Sequence, residues 1–176
     1  MNKKIGRFEV RSELGRGAQS VVYLGFDPQL QREVAIKTVR FSQPDAARNK
    51  VLLDEARTVS KLRHANIVPI FDAGEEAGGV YLVFEYVPGK NLAEFLVGSG
   101  ALSPVTAVTL LRPILDAIAC AHAQRIIHRD LKPDNIFLAE TRTSKVGMIP
   151  KIVDFGVSKA LDPGESTIRL TGVGIA

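Results

Sequence analysis

The chain has 176 residues, of which 45% are hydrophobic, and its formal charge at pH 7 is +4. This apolar content suits one globular domain and excludes a disordered chain, and cations scattered among acids favour a solvated surface over nucleic-acid binding. The single cysteine, Cys120, excludes an internal disulfide and favours a reducing cytosol, and no stretch reaches the roughly 18 uncharged apolar residues that predict a membrane segment.

Two stretches of alternating apolar residues at the start of the chain predict strands over residues 8–16 and 20–26. The turn between them contains Gly15 and Gly17. Glycines without a Cβ let backbone N–H groups approach phosphate oxygens closely. An ordinary hairpin turn has a similar composition, so this turn alone does not indicate a function.

A third strand is predicted over residues 33–39, and it ends in the run Val-Ala-Ile-Lys with Lys37 as its last member. A helix should follow, because Ser42 can cap it, Pro44 suits its first turn and Asp45 stands three residues after the serine. We expect this helix to reach about Leu62.

Glu55 lies on the apolar face of that predicted helix, where a charge pointing toward a core needs a partner. Lys37 is the natural partner. Two alternatives remain: the neighbouring Asp54 could pair with Lys37 instead, or Glu55 could be solvated.

Residues 66–72 and 80–86 predict two further strands around a polar turn at 74–79, which completes a five-stranded antiparallel sheet. A short helix is predicted over 91–97, and Ser103 and Pro104 begin a longer one that reaches about Gln124. Cys120 should pack in the core. The stripe expected to be buried on the long helix comprises Leu111, Ile114, Leu115, Ile118 and His122.

Acidic, basic and amide side chains concentrate after that helix, in the runs HRDLKPDNIFL (128–138) and PKIVDFG (150–156). A hairpin pairing 136–138 with 151–153 would bring Asp154 beside Asp130, Lys132 and Asn135. Phosphoryl transfer needs a carboxylate for the hydroxyl, a cation on the migrating group and hard oxygen ligands for Mg²⁺. Asp130, Lys132 and the pair Asn135 and Asp154 meet these three needs.

The order H-R-D-L-x-x-x-N followed by D-F-G resembles the signature of the eukaryotic-type (Hanks-type) serine/threonine protein kinases, particularly their bacterial members. The resemblance extends from Phe8 to Gly174, and Lys132 is typical of the serine/threonine branch. It implies an α+β, bilobal fold. Residues 1–86 would form the ATP-binding small lobe, with a five-stranded antiparallel sheet and one helix, and 87–176 the hinge and an incomplete, mainly helical large lobe.

The same resemblance implies ATP and Mg²⁺ as cofactors and assigns most of the nucleotide site. Lys37 would hold the α- and β-phosphates with Glu55 as its partner, and Asn135 and Asp154 would bind Mg²⁺. Ser20 stands where the family's third glycine is usual. The residues implied to contact the nucleotide are Leu14, Gly15, Gly17, Ser20, Val22, Ala35, Lys37, Glu85, Val87 and Phe137.

Roles around the loop also follow from the resemblance. His128 would brace the loop against the D-F-G segment without taking a proton, and Asp130 would be the base. Arg129 is typical of kinases whose activation segment is ordered by a phosphate. Phe84 would hold the gatekeeper position beside the adenine.

The expected function is therefore transfer of the γ-phosphoryl group of ATP to serine or threonine hydroxyls of a protein substrate, in the cytoplasm. Two other functions remain open. The chain could be a non-catalytic nucleotide-binding or scaffolding module, or a small-molecule phosphotransferase of the kinase-like superfamily. The complete set of motifs argues against the latter.

Ser166, Thr167 and Thr171 lie where activation-segment phosphorylation is expected. The sequence stops within that segment, so we expect a truncated kinase with impaired stability and activity. The loop over 139–149 is longer than usual for the family and carries no assigned function.

Overall fold

The computed structural model describes residues 3–41, 45–140 and 147–155. Several predicted features therefore lie outside the described residues. These are the capping role of Ser42, Gly156 of the D-F-G run, and the expected phosphorylation sites Ser166, Thr167 and Thr171.

An antiparallel sheet forms the first part of the fold. Its strands, in the order β1-β2-β3-β4-β6-β5, are β1 (Lys4–Ile5), β2 (Phe8–Arg16), β3 (Ser20–Asp27), β4 (Arg32–Val39), β5 (Ile70–Glu76) and β6 (Gly79–Glu85). The sheet thus has six strands rather than the predicted five. Strand β1 was missed because two residues are too few to show an alternating pattern. It folds back on β2 through Gly6, whose φ of 53° suits glycine.

The prediction for β5 was four residues too early in the chain. The strand runs from Ile70 to Glu76, and a two-residue turn at Ala77 and Gly78 joins it to β6. Both turn residues have positive φ, the geometry that matches the twist of a tight hairpin. Residues 66–68 instead pair with a strand of the second half of the fold. The predicted polar turn therefore belongs largely to the strand.

Helix α1 (Ala46–Val59) packs against the sheet and begins with a different cap from the one expected. The Asp45 carboxylate accepts a hydrogen bond of 3.0 Å from the Arg48 N–H. This acid satisfies one of the donors at the helix start, which the prediction assigned to Ser42. The helix also ends three residues before Leu62.

The second half of the fold contains α2 (Leu92–Ser99) and α3 (Pro104–Ala123), both close to their predicted bounds. Asn91 and Glu94 form a reciprocal capping box on α2, and Ser103 caps α3 with Pro104 in its first turn. A 3₁₀ turn over Pro133–Asn135 leads into a hairpin of β7 (Ile136–Glu140) and β8 (Met148–Ile152).

The buried stripe of α3 differs from the prediction. Leu110, Ile114, Ala117 and Ala121 face the core, whereas Leu111 and Leu115 are 49% and 65% exposed and His122 is exposed. Apolar residues surround much of this helix, so periodicity could not select one face. The packing selected the alanine-lined side, which allows close approach to β8. Cys120 is only partly buried.

Helix α3 has 20 residues and is also long and apolar enough to cross a membrane, with a mean hydropathy of 1.4 over an 18-residue window. Its buried side packs into the core that contains Ile136 and Ile152 of the hairpin. Core helices of water-soluble proteins have the same length and composition, so this is weak support for a membrane segment.

The two halves meet through backbone pairing as well as through side chains. The Val68 N–H donates to the Ile152 carbonyl at 2.9 Å, and the Ile152 N–H donates to the Asn66 carbonyl at 2.8 Å. The buried Asn66 side chain adds a 2.7 Å bond to the Pro150 carbonyl. Strand β8, which leads directly to Asp154, is therefore anchored to the segment that enters the sheet.

Candidate active site

A cleft of about 400 Å³ lies between the sheet and the β7–β8 hairpin. Most residues predicted to contact a nucleotide line it: Leu14, Gly15, Val22, Ala35, Lys37, Glu85, Val87 and Phe137. Strand alternation explains part of this arrangement, since Ala35 and Lys37 are two residues apart and share one face of β4. The predicted metal ligands Asn135 and Asp154 line the same cleft.

Gly17 and Ser20 do not line the cleft. They border a second pocket, formed largely by residues on the opposite face of the sheet. The Gly17 N–H donates a 2.8 Å bond to the Ser20 carbonyl, so the turn closes on itself. A donor that was expected to face phosphate is thus occupied within the turn in this structure.

The Asp130 carboxylate is held by the side chains of Lys132 and Asn135, which lie on the same loop. Its Oδ2 lies 3.0 Å from the Lys132 Nζ and accepts a 3.1 Å hydrogen bond from the Asn135 Nδ2. Partial burial opposes ionisation, but the bonds from Lys132 and Asn135 outweigh it and hold the pKa of Asp130 below its ordinary value. The carboxylate is therefore ionised and fixed in direction.

Lys132 responds to the same contact. Its hydrogen bond to Asp130 and the attraction of that carboxylate raise the pKa of the Lys132 ammonium. Lys132 is therefore positively charged at pH 7. Its side chain is 48% exposed, so the charge faces solvent beside Asp130. It is the cation that a phosphoryl group approaching Asp130 would meet.

His128 braces the loop from below. Its Nδ1 accepts from the Asp130 N–H at 3.3 Å, which requires the ring proton to sit on Nε2, and Nε2 lies 2.9 Å from the Val153 carbonyl. The ring also packs on Phe155, with 4.6 Å between centroids. Burial lowers the pKa of His128, so the ring is neutral at pH 7.

The expected ion pair between Lys37 and Glu55 is not formed. The Lys37 Nζ instead lies 2.8 Å from the Asp154 Oδ2, and the Glu55 Oε1 lies 3.2 Å from the Arg129 guanidinium. The orientation of α1 turns Glu55 toward Arg129, in the loop that follows α3. Asp154 therefore supplies the carboxylate beside the buried Lys37. Burial raises the pKa of Glu55, and Arg129 only partly offsets this effect.

Two residues of this region have a left-handed backbone, Arg129 with a φ of 66° and Asp154 with a φ of 59°. Such conformations cost about 1–3 kcal/mol for a residue other than glycine and occur where a side chain must be aimed. Both side chains take part in the ion pairs just described.

Asn135 and Asp154 are positioned as neighbours by the backbone. The Val153 N–H donates to the Asn135 carbonyl at 3.0 Å, which places the two side chains at one end of the cleft. Mg²⁺ is typically held by one or two protein oxygen donors together with substrate phosphates. These residues fit that pattern. Clusters of three or more His, Cys, Asp or Glu side chains suited to a metal are absent from residues 3–41, 45–140 and 147–155.

Sequence reasoning missed Lys151, which points from β8 to the hinge. Its Nζ lies 2.6 Å from the Glu85 Oε1, and Glu85 ends strand β6 at the edge of the cleft. The strand pattern could have placed Lys151 opposite Phe137 in the hairpin, but a contact 66 residues away has no local pattern. Asp134, Val68 and Val153 also line the cleft without having been predicted.

Comparison with known proteins agrees with this geometry. A family model described as "Protein kinase domain" matches residues 8–174. The serine/threonine-protein kinase PrkC of Bacillus subtilis is 41% identical over 160 residues, which are 89% of this chain and 23% of PrkC. The serine/threonine-protein kinase PknL of Mycobacterium tuberculosis is 33% identical over 169 residues, with 95% of this chain and 40% of PknL covered.

The fold is also that of a solved structure, the PknI kinase domain of Mycobacterium tuberculosis, with a TM-score of 0.73 and 24% identity. The match covers 89% of this chain and 62% of that domain. The chain spans about a quarter of the length of the first curated relatives that it matches.

Proposed function

Because this chain belongs to the protein kinase family, we propose that it transfers the γ-phosphoryl group of ATP to serine or threonine hydroxyls of proteins. The observation that supports this most directly is the Asp130–Lys132–Asn135 network, an ionised carboxylate and a fixed cation at the end of the cleft. The cytoplasm, where ATP is available, is the proposed location.

Asp130 would act mainly by orienting the acceptor hydroxyl. A carboxylate whose pKa is held low is a weak base, but phosphoryl transfer passes through a loose transition state in which positioning counts for more than base strength. The hydroxyl proton would pass to Asp130 as the new oxygen–phosphorus bond forms and the bond from the γ-phosphorus to the bridging oxygen breaks, with ADP as the leaving group.

The cations of the cleft would stabilise the charge that spreads over the phosphoryl oxygens. Lys132 would contact the migrating group from the exposed side of the loop, and the buried Lys37, which lines the cleft, would contact the α- and β-phosphates. Bound Mg²⁺ would neutralise phosphate charge, and Asn135 and Asp154 are the residues that would hold it. Residues 1–86 and 87–176 would serve as the nucleotide-binding lobe and the partial catalytic lobe.

A second candidate function is nucleotide binding without turnover. The observation that favours it is the 2.8 Å ion pair between Lys37 and Asp154, because it leaves Lys37 without the Glu55 partner expected to hold it against the phosphates during transfer. Either function uses the same cleft, so only a turnover measurement separates them.

The test is Asp130→Asn, with Asp116→Asn on the exposed side of α3 as a matched control. We expect the parent chain to phosphorylate a serine- or threonine-containing peptide in the presence of MgATP. Asp130→Asn should lower kcat by roughly 10²–10⁴-fold while the nucleotide Kd stays the same. Mass spectrometry of the peptide and nucleotide titration provide the two measurements.

The outcomes are distinct. Nucleotide binding without phosphopeptide would favour the second candidate function. Equal loss of turnover and nucleotide affinity in Asp130→Asn would contradict the orienting role, and faster transfer to an aminoglycoside or choline than to peptide would indicate a small-molecule phosphotransferase.

A further inference from the structure

A second pocket, of about 260 Å³, lies mainly on the face of the sheet that points away from the nucleotide cleft. It is bordered by the turn between β2 and β3, the end of β4, the start of β6 and the first described residues of the chain. Of the residues assigned to the nucleotide site, only Gly17 and Ser20 line it. The glycine-rich turn is shared, since Gly15 lines the cleft and Gly17 lines this pocket.

The floor of the pocket is apolar and aromatic. Ile5, Val21, Tyr23 and Tyr81 contribute to it. Tyr81 packs closely over the backbone of Gly6 and Gly74, so its position is fixed. A flat apolar group fits such a surface.

The rim is cationic. Three cations line the pocket, Lys3, Arg16 and Arg40. Glu76 is the single acid in its lining. Arg16 is already paired with Glu13 at 2.6 Å, and the Gly6 N–H donates to the Glu76 carboxylate. The cationic charge of the rim therefore exceeds its acidic charge.

Two of these cations lack a carboxylate partner among the described residues. The Lys3 Nζ donates to the Tyr23 hydroxyl at 3.0 Å and lies 4.3 Å from the centre of that ring. The exposed Arg40 side chain makes no ion pair with residues 3–41, 45–140 or 147–155. An anion between them would gain charge-assisted hydrogen bonds that the chain does not supply there.

We propose that this pocket is a binding site for a small organic anion with a phosphate or carboxylate group on a flat apolar body. The anionic group would meet Lys3 and Arg40, and the body would lie on Tyr23 and Tyr81. The volume is just below the roughly 300 Å³ at the lower end of small-molecule sites, so the ligand is small.

Occupancy of this site is linked to the nucleotide cleft. Val22 and Lys37 face the cleft, and their chain neighbours Val21 and Thr38 line the pocket. Thr38 Oγ1 bonds the Val21 carbonyl at 3.2 Å, and the Arg40 N–H bonds the Gln19 carbonyl at 3.0 Å. An anion held by Arg40 therefore restrains the glycine-rich turn, and each ligand changes the other's affinity by the same factor.

The experiment titrates the chain with phenyl phosphate by calorimetry, and it needs no turnover. We expect saturable binding, weakened about tenfold by Arg40→Gln and by Lys3→Gln. Arg112→Gln, which removes an exposed arginine from α3, should leave the affinity unchanged. Phenol should bind much more weakly, because it lacks the anionic group.

Several results would overturn the site: no saturable binding, equal weakening by Arg112→Gln, or phenol binding as tightly as phenyl phosphate. If ADP displaces phenyl phosphate and Arg40→Gln does not weaken its binding, the probe binds in the nucleotide cleft, which would also refute the proposed site. Equal ADP affinity with and without bound probe would overturn the linkage. Failure of phosphoryl transfer leaves each of these readouts intact.

Discussion

At the scale of single residues, the candidate site depends on contacts that set protonation and direction together. His128 shows this most clearly. One neutral tautomer accepts from the Asp130 N–H and donates to the Val153 carbonyl, while the ring packs on Phe155. Protonation of the ring would break the first of these contacts, so the loop, the D-F-G segment and the charge of His128 are coupled.

This coupling predicts a pH dependence of stability. The pKa of His128 is lowered by burial, so its contribution is present above the unfolded pKa of about 6.5 and is lost as pH falls toward the lower folded value. We expect the parent to lose stability between pH 7.5 and about 5.5, and His128→Phe to lose less over the same range. Urea unfolding at the two pH values measures the difference.

Subtracting the pH dependence of the free energy of unfolding of the variant from that of the parent removes the contribution of the carboxylates, which titrate in both proteins. His122→Gln changes an exposed histidine on α3 and should keep the parent's pH dependence. An identical slope for His128→Phe and parent would show that His128 does not resist protonation in the folded state.

Lys151 is the residue-scale contact that connects the hinge to the strand preceding Asp154. Its side chain is 19% exposed and that of Glu85 is 35% exposed, so water screens the pair only in part. The pair connects the end of the cleft at Glu85 to the strand that leads to Asp154.

We therefore expect Lys151→Met and Glu85→Gln each to weaken nucleotide binding. A double-mutant cycle should give a coupling of about 1 kcal/mol between them, and the charge-reversed pair Lys151→Glu with Glu85→Lys should recover part of the affinity. Nucleotide titration measures the cycle, with Lys50→Met on the exposed side of α1 as the control. Purely additive effects would refute the positioning role.

At the scale of elements, helix α1 decides which partner Glu55 meets. Asp45 caps the helix and its buried residues Leu52, Ala56 and Val59 hold it against the core, and this placement leaves Glu55 beside Arg129. The ion pair with Arg129 does not fully offset the cost of burying the ionised Glu55 carboxylate, because desolvation raises the pKa of this group despite the arginine.

This predicts a result opposite to the usual expectation for a lost ion pair. A folded pKa above the unfolded value means that the stability linked to Glu55 is present at low pH and is lost as pH rises through the folded pKa. Glu55→Gln should therefore be at least as stable as the parent at pH 7, with the advantage disappearing below about pH 4.5.

Urea midpoints across that range are the measurement, with Asp54→Asn as a neighbouring exposed control. If Lys37 also requires Glu55 during transfer, kcat of the Gln variant should fall while its stability does not. A clear loss of stability at pH 7 would show that the pair with Arg129 contributes more than desolvation removes.

At the scale of the whole molecule, nucleotide binding should raise the midpoint of thermal unfolding. The cleft draws its walls from both halves of the fold, which are joined by the pairing of residues 66–68 with β8. A ligand that binds only the folded chain stabilises it by about 2.7 kcal/mol at a concentration 100 times its Kd.

We expect a cooperative thermal transition whose midpoint rises with MgATP and rises less with ATP alone. Asp154→Asn should make the rise with MgATP more like the rise with ATP alone, because Asp154 is one of the two residues proposed to hold Mg²⁺. Absence of a cooperative transition would show that the chain alone does not assemble the cleft.

An exposed apolar surface on α3 is also a property of the whole molecule. Val105, Val108, Leu111 and Leu115 of α3 are between 49% and 76% exposed. Their pattern explains why the prediction included Leu111 and Leu115 beside the correctly placed Ile114: the helix is apolar on two sides, and only packing against the hairpin distinguishes them.

The sequence alone was sufficient for the family and most element bounds, and it named many of the residues that line the cleft, although Gly17 and Ser20 border the second pocket instead. Dense local motifs carry that information, since Asp130, Lys132 and Asn135 lie within six residues and a local hairpin, with Ile136 paired to Ile152, returns the chain to Asp154. The glycine-rich turn was located, but the half of it that faces away from the cleft was not identified.

Tertiary structure decided what local patterns leave undetermined. The pairs Lys37 with Asp154, Glu55 with Arg129, and Lys151 with Glu85 join residues 117, 74 and 66 positions apart. The sequence does not determine which carboxylate each of these cations meets, because that depends on where α1 and β8 lie against the sheet. Periodicity indicates which face of an element is apolar, whereas the partner of a buried charge is set by how the elements pack.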